Sequence, residues 1–365
     1  MHRFLALLFT FVIAQFCGAG SQAYAQDLSG GAKESHIALI LPLSTSAFSQ
    51  YAQQVKLGFL AAAKIDAGAG LPVKVYVTSD QASDVIASYS QAVETGARII
   101  VGPIGKDAAT AIAKSGLVSV TTLALSHPDS DIPLPPRFYV FGLQIDSEAR
   151  FVAQRALRDS KRRRALIVSG PSSLERRLGQ SFLEEWTKSG GEAVSQFDFK
   201  DDPTALAKIK LVISSDEIDT VFLALDTAQA RLVRPYLGSS VAMYATSQIF
   251  PGNSQALLNF DLDRIRFMDM PWLLQPDHPA VMSYSEEEEV KHTPELERFF
   301  ALGIDAYRLA QELISQSAEE NIFLDGVTGE ITLRSGNQFV RKPLLAVFYD
   351  GRIVVLRDLS HHDRD

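Results

Sequence analysis

The sequence predicts an α/β chain folded as two lobes, each a parallel sheet flanked by helices. Three observations carry this. Apolar runs of strand length alternate with helical segments from His36 to Gly105, and the same alternation resumes beyond Ser147. The 365 residues, 46% of them hydrophobic, also exceed what one core holds, since single cores seldom grow past ~250–300 residues.

Each element has a local reason. IALILPL at 37–43 is an almost unbroken apolar run, as a strand covered by helices on both faces requires. The following YAQQVKLGFLAAAKIDAG places Val55, Phe59 and Ala62 or Ala63 on one helical stripe and Gln53, Gln54, Lys56 and Lys64 on other faces. Strands are predicted near 36–43, 72–78, 98–102 and 118–125 with helices between them, an order that implies right-handed crossovers. PPRFYVFGL at 135–143 suits a passage between lobes, and the helix SEARFVAQRALRDS follows with Ser147 as its expected cap. RALIVSG, AVSQFDF, DTVFLALD and VAMYATS then read as strands, and Gly190 and Gly191 as the close of the helix before AVSQFDF. An amphipathic helix is expected from about 294 to 317. Short strands come last, TGEITLRSG and KPLLAVFYDGRIVVL, with NQ and DG as turn signals.

The first lobe is therefore expected over 36–143 with 268–332 returning to it, and the second over 144–267 with 333–356 returning. The polar stretch 357–365 reads as a tail. Residues 1–25 read as a secretory signal: Arg3, an uncharged and mainly apolar run from Phe4 to Phe16, and small residues ending in Ala23-Tyr24-Ala25. The run is short for a membrane span. QDLSGGAKES at 26–35 reads as a flexible leader. Cleavage after Ala25 removes the one cysteine, Cys17, so neither disulfides nor a thiol nucleophile are expected. It also removes Arg3, leaving 34 Lys plus Arg against 43 Asp plus Glu. That net charge of −9 argues against general nucleic-acid binding.

Catalysis would need a nucleophile with its base, paired carboxylates or a metal cluster, and none stands at a recognised spacing. G-x-S-x-G, H-E-x-x-H, C-x-x-C and G-x-G-x-x-G are all missing from the sequence. No enzyme, cofactor or metal is expected. VGPIGK at 101–106 fails as a phosphate loop, because its glycines are too close and Asp107 stands where Ser or Thr should hold magnesium. It reads as a tight strand-to-helix turn whose amides either bind an anion or simply connect. The run from Lys161 to Arg164 sits where a helix dipole favours cations. Arg176 and Arg177 stand at a helix start, where cations are unfavourable, which makes them partner-contact candidates. SEEEE at 285–289 reads as a solvated run.

IALILPLSTSAFSQYAQQVKLGFLAA, RIIVGPIGKD, LALSHP, SSLERRLGQSFLEEWTKSGG, LVRPYLGSSVAMYATS, DMPWLL, RFFALGIDAYRLA and VTGEITLRSGNQFVRKPLLAVFYDGRI together resemble the C-terminal domain of the LppC/LpoA-type penicillin-binding-protein activator family. The likeness runs from about 36 to 356. It implies a type I periplasmic-binding-protein-like fold and a periplasmic regulator of peptidoglycan synthesis that activates a bifunctional penicillin-binding protein. Longer members carry a helical-repeat domain ahead of this module, which the residues before His36 do not supply. Cys17 follows Phe16 where a lipidated cysteine expects a small residue, so a soluble periplasmic product is expected over an outer-membrane lipoprotein.

The chain also resembles the wider solute-binding fold. That likeness implies ligand contacts at Ser44 and Thr45, Ile104 and Gly105, Ser126, Leu174, Asp226, and Thr246 with Ser247. Hydroxyls and amides on the earlier loops would hold a carboxylate and Asp226 an ammonium, although Leu174 replaces an aromatic that often packs on the ligand. Trp272 either lines the cleft or serves as a core or hinge residue. A receptor for an amino-acid-like or anionic small molecule, feeding an ABC transporter, is thus the alternative reading.

Overall fold

The computed structural model describes residues 34–44, 48–66, 70–129, 131–215, 217–252, 259–284, 293–315 and 322–356. The expected signal peptide, nearly all of the leader, Thr45, the acidic run and the tail lie outside these residues. The first lobe opens with β1 (His36–Leu41), α1 (Ser49–Ile65), β2 (Val73–Val77), α2 (Ala82–Glu94), β3 (Ala97–Val101), α3 (Lys106–Lys114), β4 (Thr121–Ala124) and β5 (Phe138–Val140). The second repeats the scheme with α4 (Ile145–Asp159), β6 (Arg164–Ser169), α5 (Ser173–Lys188), β7 (Glu192–Asp198), α6 (Pro203–Ser215), β8 (Thr220–Ala224), α7 (Thr227–Leu237), β9 (Ala242–Ala245), a 3-10 turn at Ser247–Ile249, and β10 (Ile265–Asp269). The chain ends with α8 (Pro271–Leu274), α9 (Pro279–Met282), α10 (Pro294–Ser315), β11 (Phe323–Gly326), β12 (Gly329–Arg334), β13 (Gln338–Lys342), β14 (Leu344–Tyr349) and β15 (Arg352–Leu356).

The parallel cores run β2-β1-β3-β4-β5 and β7-β6-β8-β9-β10, the same doubly wound order twice. Central strands β1 and β8 are buried along their whole length, as their apolar runs predicted. Further strands then extend each sheet: β13 joins β5 in parallel and β12 and β11 follow antiparallel, while β14 and β15 follow β10 antiparallel. The chain passes between lobes three times, after β5, after β10 and at Pro343.

Four readings change. PPRFYVFGL was expected only as a passage, but Phe138–Val140 pairs with β4 before the chain crosses. Ser147 does not cap α4. The helix starts at Ile145, and the Ser147 hydroxyl donates to Gln144 Oε1 at 2.8 Å from within the first turn. Only Gly190 takes the left-handed conformation (φ 88°), while Gly191 lies against the Trp186 indole. Residues 333–342 do not return to the second lobe: β13 pairs with β12, and Gln338 with Val140 of β5. The NQ signal is a hairpin turn within one sheet, with Gly336 and Asn337 at positive φ. QFVRK carries too few apolar residues to read as a strand, and Pro343, lacking an N–H, ends its ladder.

Helix α10 closes the first lobe. Phe300, Leu302, Ile304, Leu309 and Ala310 join Ile37, Leu39, Val55 and Phe59 in one core. The two helices touch through glycines. A Cβ on Gly58 would collide with the Phe300 carbonyl, and one on Gly303 with the Val55 carbonyl. Asp305, buried on α10, accepts from the Val327 and Thr328 amides (3.1 and 2.7 Å) and the Thr328 hydroxyl (2.7 Å), fixing the β11–β12 turn.

The basic run 161–164 follows α4 as expected, and both its backbone and its side chains are engaged, Arg164 pairing with Glu192 at 2.9 Å. Asp219 accepts from the Ser160 hydroxyl and the Lys161 and Arg162 amides at 2.7–2.8 Å. Burial works to raise this carboxyl, yet the Arg162 amide, the Ser160 hydroxyl and the Lys161 amide outweigh it and hold it below the usual carboxylate range.

Two outcomes are expected. Gly58→Ala lowers stability by about 1–3 kcal/mol, read as a fall in the urea midpoint, because the helix backbones must separate. Asp219→Asn costs about 1–3 kcal/mol at neutral pH. A depressed carboxyl contributes fully above its unfolded value, near ~4, and loses that contribution as pH falls through the lower folded value. The gap between variant and parent therefore closes in acid, which urea titrations at stepped pH would read.

Candidate functional site between the lobes

Loops following the parallel strands of both lobes face the space where a two-lobed sheet protein would hold a ligand. The structure engages several of the expected contacts within the protein itself. Ser126 Oγ accepts from the Gly105 amide at 2.8 Å, so that hydroxyl and that amide satisfy each other. The Ser44 hydroxyl donates to the Thr78 carbonyl at 2.8 Å. Ile104 is buried in the first-lobe core, and Leu174 packs against the second. Asp226 caps α7, accepting from the Gln229 amide at 2.8 Å while the Gln229 side chain accepts from the Asp226 amide. Its carboxylate thus completes a capping box.

Trp272 is half-buried and packs on the first-lobe core. Its indole N–H donates to Glu297 at 2.7 Å and its ring packs on Phe300 at 5.2 Å. Arg176 and Arg177 are exposed near the start of α5. Arg177 pairs with Asp146 at 2.8 Å, and Arg176 donates to the Pro171 carbonyl. His127, following Ser126, is neutral at pH 7, because burial pushes its imidazole down to about 4.

What joins the lobes is a buried chain of charges that sequence reasoning missed. Glu148 on α4 meets Arg341 on β13 at 2.8 Å, both nearly inaccessible. Arg298 on α10 meets the two Asp269 oxygens at the end of β10, at 2.6 and 3.1 Å. Ser247 links the pairs, its amide donating to Glu148 (3.2 Å) and its carbonyl accepting from Arg298 (3.0 Å). Asp269 also accepts from the Met270 amide, and Arg341 donates to the Thr328 carbonyl. Burial opposes the charge on Arg298, but Asp269 and Glu148 carry its pKa upward. Each charge has an opposite partner and further hydrogen bonds, the condition under which ions persist away from water. Thr246 Oγ1, beside this chain, is buried without a partner.

The recess beside Glu148, Arg341 and Phe339 holds about 10 Å³, roughly the room of one water. A larger recess of about 790 Å³ lies along the hinge, lined by α4, α8 and β15. Among the described residues no cluster of His, Cys, Asp and Glu could hold a metal ion, and no helix is long and apolar enough to cross a membrane.

Comparison with known proteins gives this architecture relatives. The family described as "LppC putative lipoprotein" matches residues 31–349. The penicillin-binding protein activator LpoA of Dickeya chrysanthemi is 28% identical over 330 residues, 78% of this chain and 47% of the relative. That of Serratia proteamaculans is 24% identical over 326 residues, again 78% and 47%. The chain spans about half the length of these curated relatives. Among solved structures, one described as a putative branched-chain amino acid ABC transporter from Chromobacterium violaceum is 36% identical, with TM-score 0.74 over 86% of this chain and 99% of that one. The LpoA C-domain from Haemophilus influenzae, described as a regulator of PBP1A, is 21% identical with TM-score 0.73, over 88% of this chain and 100% of that one. The fold is thus type I periplasmic-binding-protein-like.

Removing one member of the buried chain leaves its partner charged and alone. Arg298→Met is expected to cost about 3–5 kcal/mol, whereas the double change Arg298→Met with Asp269→Leu recovers much of it. Urea unfolding of the two single variants and the double variant checks this.

Proposed function

Because the chain belongs to the LppC family, we propose that it is a non-enzymatic regulator of peptidoglycan synthesis, working in the periplasm by binding and activating a bifunctional penicillin-binding protein. The observation that carries this reading is the span of the family match, which takes in both lobes and every passage between them. The buried charges support it. A regulator that acts by docking needs a surface held in one shape, and ion pairs from α4, β10, α10 and β13 give it that. We assign the partner contact to the exposed Arg176–Arg177 end of α5, next to the mouth of the cleft.

The test mixes the purified chain with the periplasmic part of a bifunctional peptidoglycan synthase and follows binding, glycan polymerisation and crosslinking together. Binding with a rise in rate is expected, and the pair of changes Arg176→Glu and Arg177→Glu is expected to weaken binding several-fold through lost charge complementarity. Binding without any change in either rate would remove the activator reading.

One observation favours a second reading: the 36% identity to a structure described as a putative branched-chain amino acid ABC transporter. Against it stand the Gly105–Ser126 bond and the Asp226 cap, which engage groups that an amino acid would need. A melting temperature that climbs with leucine, isoleucine or valine concentration would support the receptor, since a ligand of the native state stabilises by mass action.

A further inference from the structure

The 790 Å³ recess along the hinge runs beside the free edge of the second sheet. Among the described residues β15 is the outermost strand there, paired only with β14. The β14–β15 hairpin closes through Asp350 and Gly351, both at positive φ (51° and 71°), the type I′ turn that makes Tyr349 and Arg352 a hydrogen-bonded pair. Hydrogen-bonded and non-hydrogen-bonded pairs then alternate. Ile353 opposite Phe348 and Val355 opposite Ala346 therefore turn their N–H and C=O groups away from β14. Ile353, Val354, Val355 and Leu356 all line the recess although successive side chains leave opposite faces, so the recess follows the strand edge.

Two charges mark the ends of this edge: β15 runs in the direction of β10, so Arg158, at the end of α4 that leads into β6, lies toward its start, and Asp277, which follows the carboxyl end of β10, lies toward its finish. Both are exposed, and among the described residues neither makes a side-chain bond. Met268, Leu274 and Leu345 supply the apolar lining. The edge thus lies in a recess of about 790 Å³ walled by α4 and the α8–α9 segment.

We propose that this recess is a β-augmentation site. Its occupant is an extended peptide segment of another protein, carrying an acidic side chain at the Arg158 end and a basic one at the Asp277 end. Main-chain bonds to Ile353 and Val355 supply affinity, and the two charges set direction. The inference stands on the strand edge and its walls, independently of the partner proposed above.

The probes are two fluorescein-labelled heptapeptides of alternating valine and threonine, one with amino-terminal glutamate and carboxyl-terminal lysine, the other reversed. Anisotropy with the full chain is expected to show a several-fold preference for one order. Val355→Pro removes an outward N–H where an edge strand tolerates proline, and is expected to weaken binding about tenfold at unchanged melting temperature. N-methylation of alternate peptide amides is expected to do the same to the unaltered protein, which keeps the test decisive should the proline variant fold poorly. The double change Arg158→Glu with Asp277→Lys is expected to reverse the preferred order. Equal binding of both orders, or indifference to both the proline and the methyl groups, overturns the proposal. So does dimerisation abolished by Val355→Pro, or binding that emerges only when residues 357–365 are removed, since a second copy or the chain's own tail would then be the occupant.

Discussion

Four buried charges and one backbone position hold the lobes in place. Arg341 and Glu148, Arg298 and Asp269, joined through the Ser247 amide and carbonyl, draw on five separate elements of both lobes. Removing any of these ions from water is costly, and each meets its opposite charge only while the elements keep their relative positions. A clamp that opens about its hinge would separate them. In this chain the angle between lobes is tied to the pairing of the charges, so the outer surface is the part free to meet a partner.

Much of the architecture was legible because it rests on local rules. Unbroken apolar runs marked β1 and β8, and helical stripes marked α1 and α10. The Asp350-Gly351 signal is the turn its residues predict. What escaped was non-local. QFVRK becomes a strand only because β12 and β5 flank it, and nothing in its composition announces that. Arg341 and Glu148 lie 193 residues apart, a separation no motif spans. One clue was present: Arg298 and Asp305 fall among the apolar positions of α10, and a charge on a buried stripe calls for a buried partner.

The candidate contacts drawn from the wider solute-binding resemblance illustrate the same boundary. Position after a strand was enough to bring Gly105 and Ser126 together, or to put Asp226 at a helix start. It did not determine whether their polar atoms would face a ligand or satisfy the local backbone, which is decided by neighbours twenty or more residues away or by capping geometry. Ser247 shows the reverse. It was singled out only by its place after a strand, while its amide and carbonyl carry the contacts that matter.

The glycine contact between α1 and α10 has a consequence for how the chain acquires its structure. The two helices lie some 240 residues apart in sequence, as the Tyr307–Asp66 bond across the same interface shows with a separation of 241. The first lobe emerges first from synthesis, but the helix that covers one face of its sheet comes after nearly all of the second lobe. Closing so long a loop must precede the contacts that reward it. The lobes therefore mature as one cooperative unit, and an N-terminal fragment exposes the apolar face that α10 covers until the rest of the chain arrives.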